Sequence, residues 1–186
     1  MIYLVRHGMD DESFVGGHSD ISLTKEGIEE VNLLGQYIKD NLQIDKIYTS
    51  DVKRAVDTAL IINCYLNLDL ELDHNLRELN KGLLTGRKRS SLTKEELHNL
   101  ETKDVYEKIM GGESMYDLYC RVKELYESGY FESLDNSLIV THRGFINMLY
   151  FILNNEELSM DKKKYGVSHG SIHEFDQKNK VVRKVR

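Results

Sequence analysis

The sequence predicts an α/β fold of three layers, a mostly parallel sheet with helices on both faces. Short apolar runs alternate along most of the chain with segments whose apolar residues recur at helical spacing, the pattern of βα units. The runs at 2–5 and 137–141 have continuous apolar centres (138–140 in the second), as strands buried on both faces do. With 186 residues and no linker, internal repeat or low-complexity tract, the reading is one domain over 1–186.

Each element follows from its own signal. Ile2, Tyr3, Leu4 and Val5 form a first strand that ends at Arg6, His7 and Gly8. A polar, glycine-bearing loop covers 9–23, and Thr24 then caps a helix with Ile28, Val31, Leu34, Ile38 and Leu42 on one face. Residues 44–49 make a second strand; after Ser50, Val52, Ala55, Val56, Ala59, Leu60 and Ile62 mark the next helix. Leu66, Leu68, Leu70 and Leu72 alternate with polar residues and predict a half-exposed strand. No period is visible from 73 to 92. Thr93 and Glu96 spell a capping box for a polar helix reaching about Met110. Gly111 and Gly112 break it, and Ser114 caps a helix carrying Met115, Leu118, Val122 and Leu125. The strand at 137–141 ends in His142, Arg143 and Gly144, and 145–153, apolar on nearly all sides, is a packed helix. Residues 172–175 and 181–185 close the chain as a hairpin or as edge strands.

Composition narrows the function. Apolar residues make up 40% and charged residues 30%, the mixture of a chain that buries a core. The net charge of −6 disfavours nucleic acid and anionic membrane as partners, since both call for a basic face. The longest apolar stretch, 145–153, is far short of the ~20 residues that span a bilayer. Arg6 and His7 interrupt the opening run before it has the length of a signal peptide. Cys64 and Cys120 lack metal-ligand spacing and read as reduced thiols on helices, so a cytoplasmic, disulfide-free protein is expected. Neither G-x-G-x-x-G nor G-x-x-x-x-G-K-[ST] occurs, which disfavours a dinucleotide or nucleoside triphosphate binder.

Ligands of open α/β sheets bind outside the carboxyl ends of the strands. Two strands end there in a histidine beside an arginine and a glycine: Arg6-His7-Gly8 and His142-Arg143-Gly144. Arg54 falls in the first turn of the helix after the strand ending at Thr49. Cationic groups at buried strand ends call for an anion to compensate them. Arginine forks suit phosphate oxygens, and neutral histidine is a competent nucleophile. Together they point to a phosphoryl group.

The same residues carry a resemblance. Arg6-His7-Gly8, then Gly17, Asp20, Leu23, Thr24 and Gly27, then Ser50, Arg54, Ala55, Thr58 and Ala59, follow in order. Leu76, Arg77, Glu78, Gly82 and Gly86 come next, then Gly111 to Ser114, then Val140, Thr141, His142 and Gly144. In this order and over nearly the whole chain, they resemble the signatures of the histidine phosphatase superfamily, the phosphoglycerate mutase-like group. The resemblance implies a single domain of that type with a variable substrate-capping region at about 81–112. It implies a nucleophile at His7, phosphoryl binding by Arg6, Arg54 and His142, and a general acid and base at Glu78. It also implies a small phosphorylated substrate and neither metal nor cofactor.

Departures from the pattern bear on rate and substrate. Asp10 stands where the family often has threonine, and an ionised carboxylate there repels phosphate unless it points outward. Ser13 replaces an asparagine and keeps a donor; Arg143 replaces a glycine. Gly17, His18 and His169, in glycine-bearing loops, are further pocket candidates, with turn positions as the bland alternative for the histidines. His74, His98 and His173 read as surface or sheet positions, Arg77 as scaffold. The basic stretches 87–89, 162–164 and 178–186 read as solvated faces. Three functions stay in play. The first is a metal-independent phosphatase working through phosphohistidine. The second is a cofactor-dependent phosphoglycerate mutase, disfavoured because such mutases carry added enclosing insertions. The third is a non-catalytic phosphate-binding module on the same scaffold.

Overall fold

A computed structural model describes residues 1–186. Six strands form one sheet in the order β3-β2-β4-β1-β5-β6. These are β1 Ile2–Arg6, β2 Lys46–Thr49, β3 Leu70–Leu72, β4 Ser137–Thr141, β5 Ile172–Asp176 and β6 Val181–Lys184. β3, β2, β4 and β1 run parallel, β5 pairs antiparallel with β1 and β6 antiparallel with β5, so of the two alternatives the closing segments form a hairpin, with β6 at the edge. The helices are α1 Lys25–Asn41, α2 Lys53–Leu66, α3 Lys94–Leu100, α4 Met115–Glu127 and α5 Arg143–Leu153.

The pleat of the central strands sorts their side chains into two cores, as period-two geometry requires. Val5, Leu138 and Val140 pack with Val31, Leu34, Ala55 and Ile62 of α1 and α2. Ile2, Leu4 and Ile139 pack on the other face with Leu118, Val122, Phe145 and Leu149 of α4 and α5. Helices therefore cover both faces, and α5 is buried continuously from Phe145 to Phe151. Thr24 accepts from the Gly27 amide to start α1, and Ser114 forms a reciprocal capping box with Asp117 to start α4. Gly111 to Ser114 thus sets a helix entry.

Three elements differ from the sequence reading. The alternating leucines do not make a strand from Leu66: α2 runs through Leu66 and ends on Asn67 in the left-handed conformation (φ 52). The Asn63 amide clamps the turn, donating to Leu68 O at 2.9 Å while its Oδ1 accepts from Leu68 N at 2.8 Å, and only Leu70–Leu72 pairs with β2. The polar helix from Thr93 stops at Leu100 rather than near Met110. Asn99 folds the chain back, donating to Lys108 O at 3.1 Å and accepting from Met110 N at 3.0 Å. Side-chain amides compete here with continued helix. The second strand also starts later, at Lys46.

Register brings the chemistry together. Val5 and Thr49 both lie opposite Val140, so His7, Ser50 and His142 leave the sheet side by side. The His7 amide donates to Thr141 O at 3.0 Å and the Ser50 amide to Val140 O at 2.9 Å, extending the ladder into the site.

Candidate active site

His7 is 3% exposed and its orientation is set by one bond, Nδ1–H to Gly8 O at 2.8 Å. That assigns the proton to Nδ1 and leaves the Nε2 lone pair facing the site. The Gly8 amide is held in turn by the Thr58 hydroxyl at 2.9 Å, which itself donates to Arg54 O. The chain between strand and loop is thereby tied to α2.

Arg54, 2% exposed, is the hub. Its Nε donates to His7 Nε2 at 3.1 Å, its Nη2 to Gly17 O at 2.8 Å and to His142 Nδ1 at 3.3 Å, and its Nη1 to Ser19 Oγ at 3.4 Å. Gly17 can offer that carbonyl because it adopts φ +72; a Cβ there would meet Lys81 Cγ at 2.7 Å. His142 is fully buried, its ring centroid 5.1 Å from that of His7, and its Nε2 pairs with Ser50 Oγ at 2.9 Å. Arg6 donates from Nη1 to Val167 O at 3.1 Å, and its Nη2 lies 2.5 Å from His169 Nε2. Arg6 Nε is buried without a partner.

The electrostatics follow from burial beside fixed cations. Desolvation, then the Arg54 charge, pushes His7 and His142 well below the usual imidazole value, so both are neutral near pH 7. Burial and Arg143 lower Arg6 to about 10, which leaves it charged. Burial works to raise the Glu78 carboxyl. The Arg54 charge and the amides of Leu79 and Gly144 outweigh it and hold the group well below the usual carboxylate range. Glu78 Oε1 accepts from the Leu79 amide at 2.9 Å, and Oε2 from the Gly144 amide at 3.2 Å in the first turn of α5.

Arg6, His7, Gly17, Arg54 and Glu78 line one cavity of about 400 Å³, with His142 buried behind Arg54. His169 flanks it, its ring 5.5 Å from His7. Two of the weaker candidates lie elsewhere. Ser13 is exposed and outside the cavity, because the turn started by the Asp11 side chain on the Ser13 amide carries it to the surface. His18 does not line the cavity; its Nε2 donates to Glu78 O at 2.8 Å and so orients the strand-like segment bearing that carboxylate.

Asp10 points inward. Its Oδ2 lies 3.5 Å from Arg54 Nε and its Oδ1 3.6 Å from His169 Nε2. Burial raises its carboxyl, but nearby His169 and the Arg54 charge outweigh that and keep it below the usual range. Ligand atoms of His7, Asp10 and His169 all fall within 4.8 Å of one another, the only such cluster with metal-binding composition. Arginine nitrogens sit on two of those atoms, so the cluster suits an anion better than a cation.

Sequence reasoning missed Arg121. Its guanidinium donates to the carbonyls of Asn75, Arg77 and Glu78 and to Glu113, holding the segment that carries Glu78. The signal was present, since Arg121 falls on the helical face marked by Leu118, Val122 and Leu125, where a charge needs buried partners. Arg77 is scaffold as read, in a two-pronged bond to Asp51.

Known proteins share the fold and the family profile. The profile of the histidine phosphatase superfamily (branch 1) matches residues 2–186. A probable phosphoglycerate mutase GpmB of Salmonella paratyphi A is 38% identical over 127 residues, which span 65% of this chain and 59% of that protein. Bacillus stearothermophilus YhfR superposes with a TM-score of 0.80 at 23% identity, over 99% of this chain and 94% of its own. A putative alpha-ribazole-5'-P phosphatase from Escherichia coli K-12 gives 0.81 at 22% identity, over 98% and 93%. The fold is theirs, and with its profile matched from end to end the chain belongs to branch 1 of the histidine phosphatase superfamily.

Proposed function

We propose that the chain is a phosphomonoesterase that works through a phosphohistidine on His7 and needs no metal. One observation carries the reading: a buried neutral imidazole whose Nδ1 is tied to Gly8 O, so that Nε2 faces the guanidinium groups of Arg54 and Arg6. In the resting site Arg54 Nε–H occupies the Nε2 lone pair. A phosphoryl oxygen competes for that N–H and frees the lone pair as the substrate arrives.

Nε2 then forms a bond to phosphorus while the ester P–O bond breaks, and the leaving oxygen takes a proton from the Glu78 carboxyl. Arg6, Arg54 and His142 stabilise the charge that develops on the phosphoryl oxygens. Glu78 is ionised in the free site. A bound phosphoryl dianion offsets the Arg54 field that depresses it, so substrate binding couples to uptake of the proton that Glu78 later donates. In the second half, water attacks phosphorus, Glu78 accepts its proton, the N–P bond breaks and phosphate leaves.

The relatives named as mutases support a second reading in which the phosphoryl group returns to a phosphoglycerate. We favour hydrolysis, in which Glu78, ionised in the free site and positioned by two amides, takes the proton of the attacking water. Asp10 supports a third, phosphate binding without turnover.

p-Nitrophenyl phosphate hydrolysis by wild type and His7→Ala, with and without chelator, decides among them. Chelator-insensitive turnover that vanishes in the variant is expected, together with a phosphoryl adduct on His7 in acid-quenched mass spectra. Activity that survives loss of His7, or that needs added metal, overturns the mechanism. Robust bisphosphoglycerate-primed interconversion of phosphoglycerates selects the mutase, and tight ester binding without turnover selects the binding module.

A further inference from the structure

The cavity wall carries six cationic side chains, more than a single phosphoryl group engages, against five carboxylates, Asp10, Glu12, Glu78, Glu101 and Asp161. Beyond Arg6 and Arg54, its wall carries Lys81, Arg89, Arg143 and Lys162. These come from four separate places: the segment after Glu78, the turn at Arg89–Ser91, the start of α5 and the loop after α5. None of the four has a carboxylate within 4.0 Å. Three arginines just outside the cavity are paired by contrast, Arg77 with Asp51, Arg87 with Glu96 and Arg121 with Glu113.

The cost of this arrangement registers on the lysines. Burial, then the charges of Lys162, Arg89 and Arg143, pushes Lys81 down to about 8. Lys162 is lowered too, by burial and then by Arg143. Glu12, Glu101 and Asp161 also line the cavity and temper the field, but none pairs with the four cations. Asn147, 4% exposed on the same wall, has its Oδ1 unpartnered. Like charges that converge on a cavity without a directly paired carboxylate leave bonding capacity that an anionic ligand can take up. The basic stretch 87–89 is therefore not uniformly a solvated face: Arg87 is paired, Lys88 lies over the Phe14 ring, and Arg89 lines the cavity.

We infer that Lys81, Arg89, Arg143 and Lys162 form a second anion subsite that selects substrates bearing a second phosphate besides the one transferred to His7. The inference rests on the proposed phosphatase reading and names its substrate class, a bisphosphorylated small molecule. Lys81 and Arg143 sit nearest in sequence to Glu78 and His142 and bridge the two subsites. Arg89 and Lys162 hold the far phosphate, and Asn147 Oδ1 accepts from a hydroxyl between the two.

The test compares α,ω-alkanediol bisphosphates of three to six carbons with the matching alkyl monophosphates. Wild type is expected to favour at least one bisphosphate by tenfold or more in kcat/KM, with the preference shrinking as salt rises. Lys162→Gln, at the cavity rim, and Arg143→Gln are each expected to lower that ratio severalfold, and the double variant to abolish it. No preference in wild type, or a ratio that the variants leave unchanged, overturns the subsite. Calorimetric binding of the same pairs keeps the two proposals separable. If no ester is turned over, the phosphatase reading fails while tighter binding of the bisphosphate still upholds the subsite, and equal binding removes it.

Discussion

Arg54 already has an anion beside it. Asp10, ionised and mostly buried, lies 3.5 Å from its Nε, among the groups assigned to the phosphoryl oxygens. A phosphoryl dianion entering the site meets a like charge in a medium less screening than water. Asp10→Asn keeps the shape and removes the charge. The expected outcome is a KM for p-nitrophenyl phosphate about tenfold lower, equivalent to ~1.4 kcal/mol, and a matching drop in the inhibition constant of inorganic phosphate. An unchanged KM would show that Asp10 leaves the site when substrate enters. Asp10 was legible in sequence as a departure, yet its direction was not, because the loop from 9 to 23 has no period to say which side faces inward. His7, Arg54 and His142 were legible because strand ends and a helix's first turn fix where side chains point.

At the scale of elements, Glu78 depends on the first turn of α5. A Cβ on Gly144 would lie 2.0 Å from Glu78 Oε1 and 3.0 Å from Leu118 Cδ2, so only glycine admits the carboxylate there. Gly144→Ala displaces Glu78 and breaks its bond to the Gly144 amide. General acid catalysis contributes on the order of 100-fold or more. The variant should lose that much kcat on alkyl phosphates and less on p-nitrophenyl phosphate, whose leaving group needs little protonation. A uniform loss on both would point to general disruption instead. Overpacking costs ~1–3 kcal/mol, which a urea titration will register without abolishing the fold. The segment that carries Glu78 has no helical or strand period, and what orders it lies far along the chain. Arg121 and His18 hold its carbonyls, while Thr141 Oγ1 donates to Leu76 O at 2.7 Å. Such long-range side-chain bonds leave no local pattern to read. The same holds for the ends of α2 and α3, set by the amides of Asn63 and Asn99.

Across the whole molecule, the net charge is −6, while the cavity lining sets six arginines and lysines against five carboxylates and buries a neutral histidine among them. Burial of neutral imidazoles makes stability depend on pH. His7, His142 and His173 are buried and neutral. Burial, followed by the Lys184 charge, lowers His173 to about 4, and the other two lie well below the usual value. His173 read as a sheet position and is one, but it is fully buried in β5, between the Tyr150 hydroxyl at 2.8 Å and Ser171 Oγ at 2.9 Å. In the unfolded chain each imidazole regains an ordinary value near 6.5. Below that pH the unfolded state binds more protons than the folded one, so stability falls as pH falls. At pH 5.5 each group costs ~1.4 kcal/mol, and the three together about 4 kcal/mol, a large share of the 5–15 kcal/mol typical of a domain. The depressed carboxylates Asp10 and Glu78 do not offset this, because their contribution is lost only as pH falls through and below the ordinary carboxylate range near 4. Urea unfolding at pH 7.5, 6.5 and 5.5 should show most of the loss between the last two values. A flat profile over that span would mean that the imidazoles take up protons inside the fold, and with them the neutral His7 on which attack at phosphorus depends.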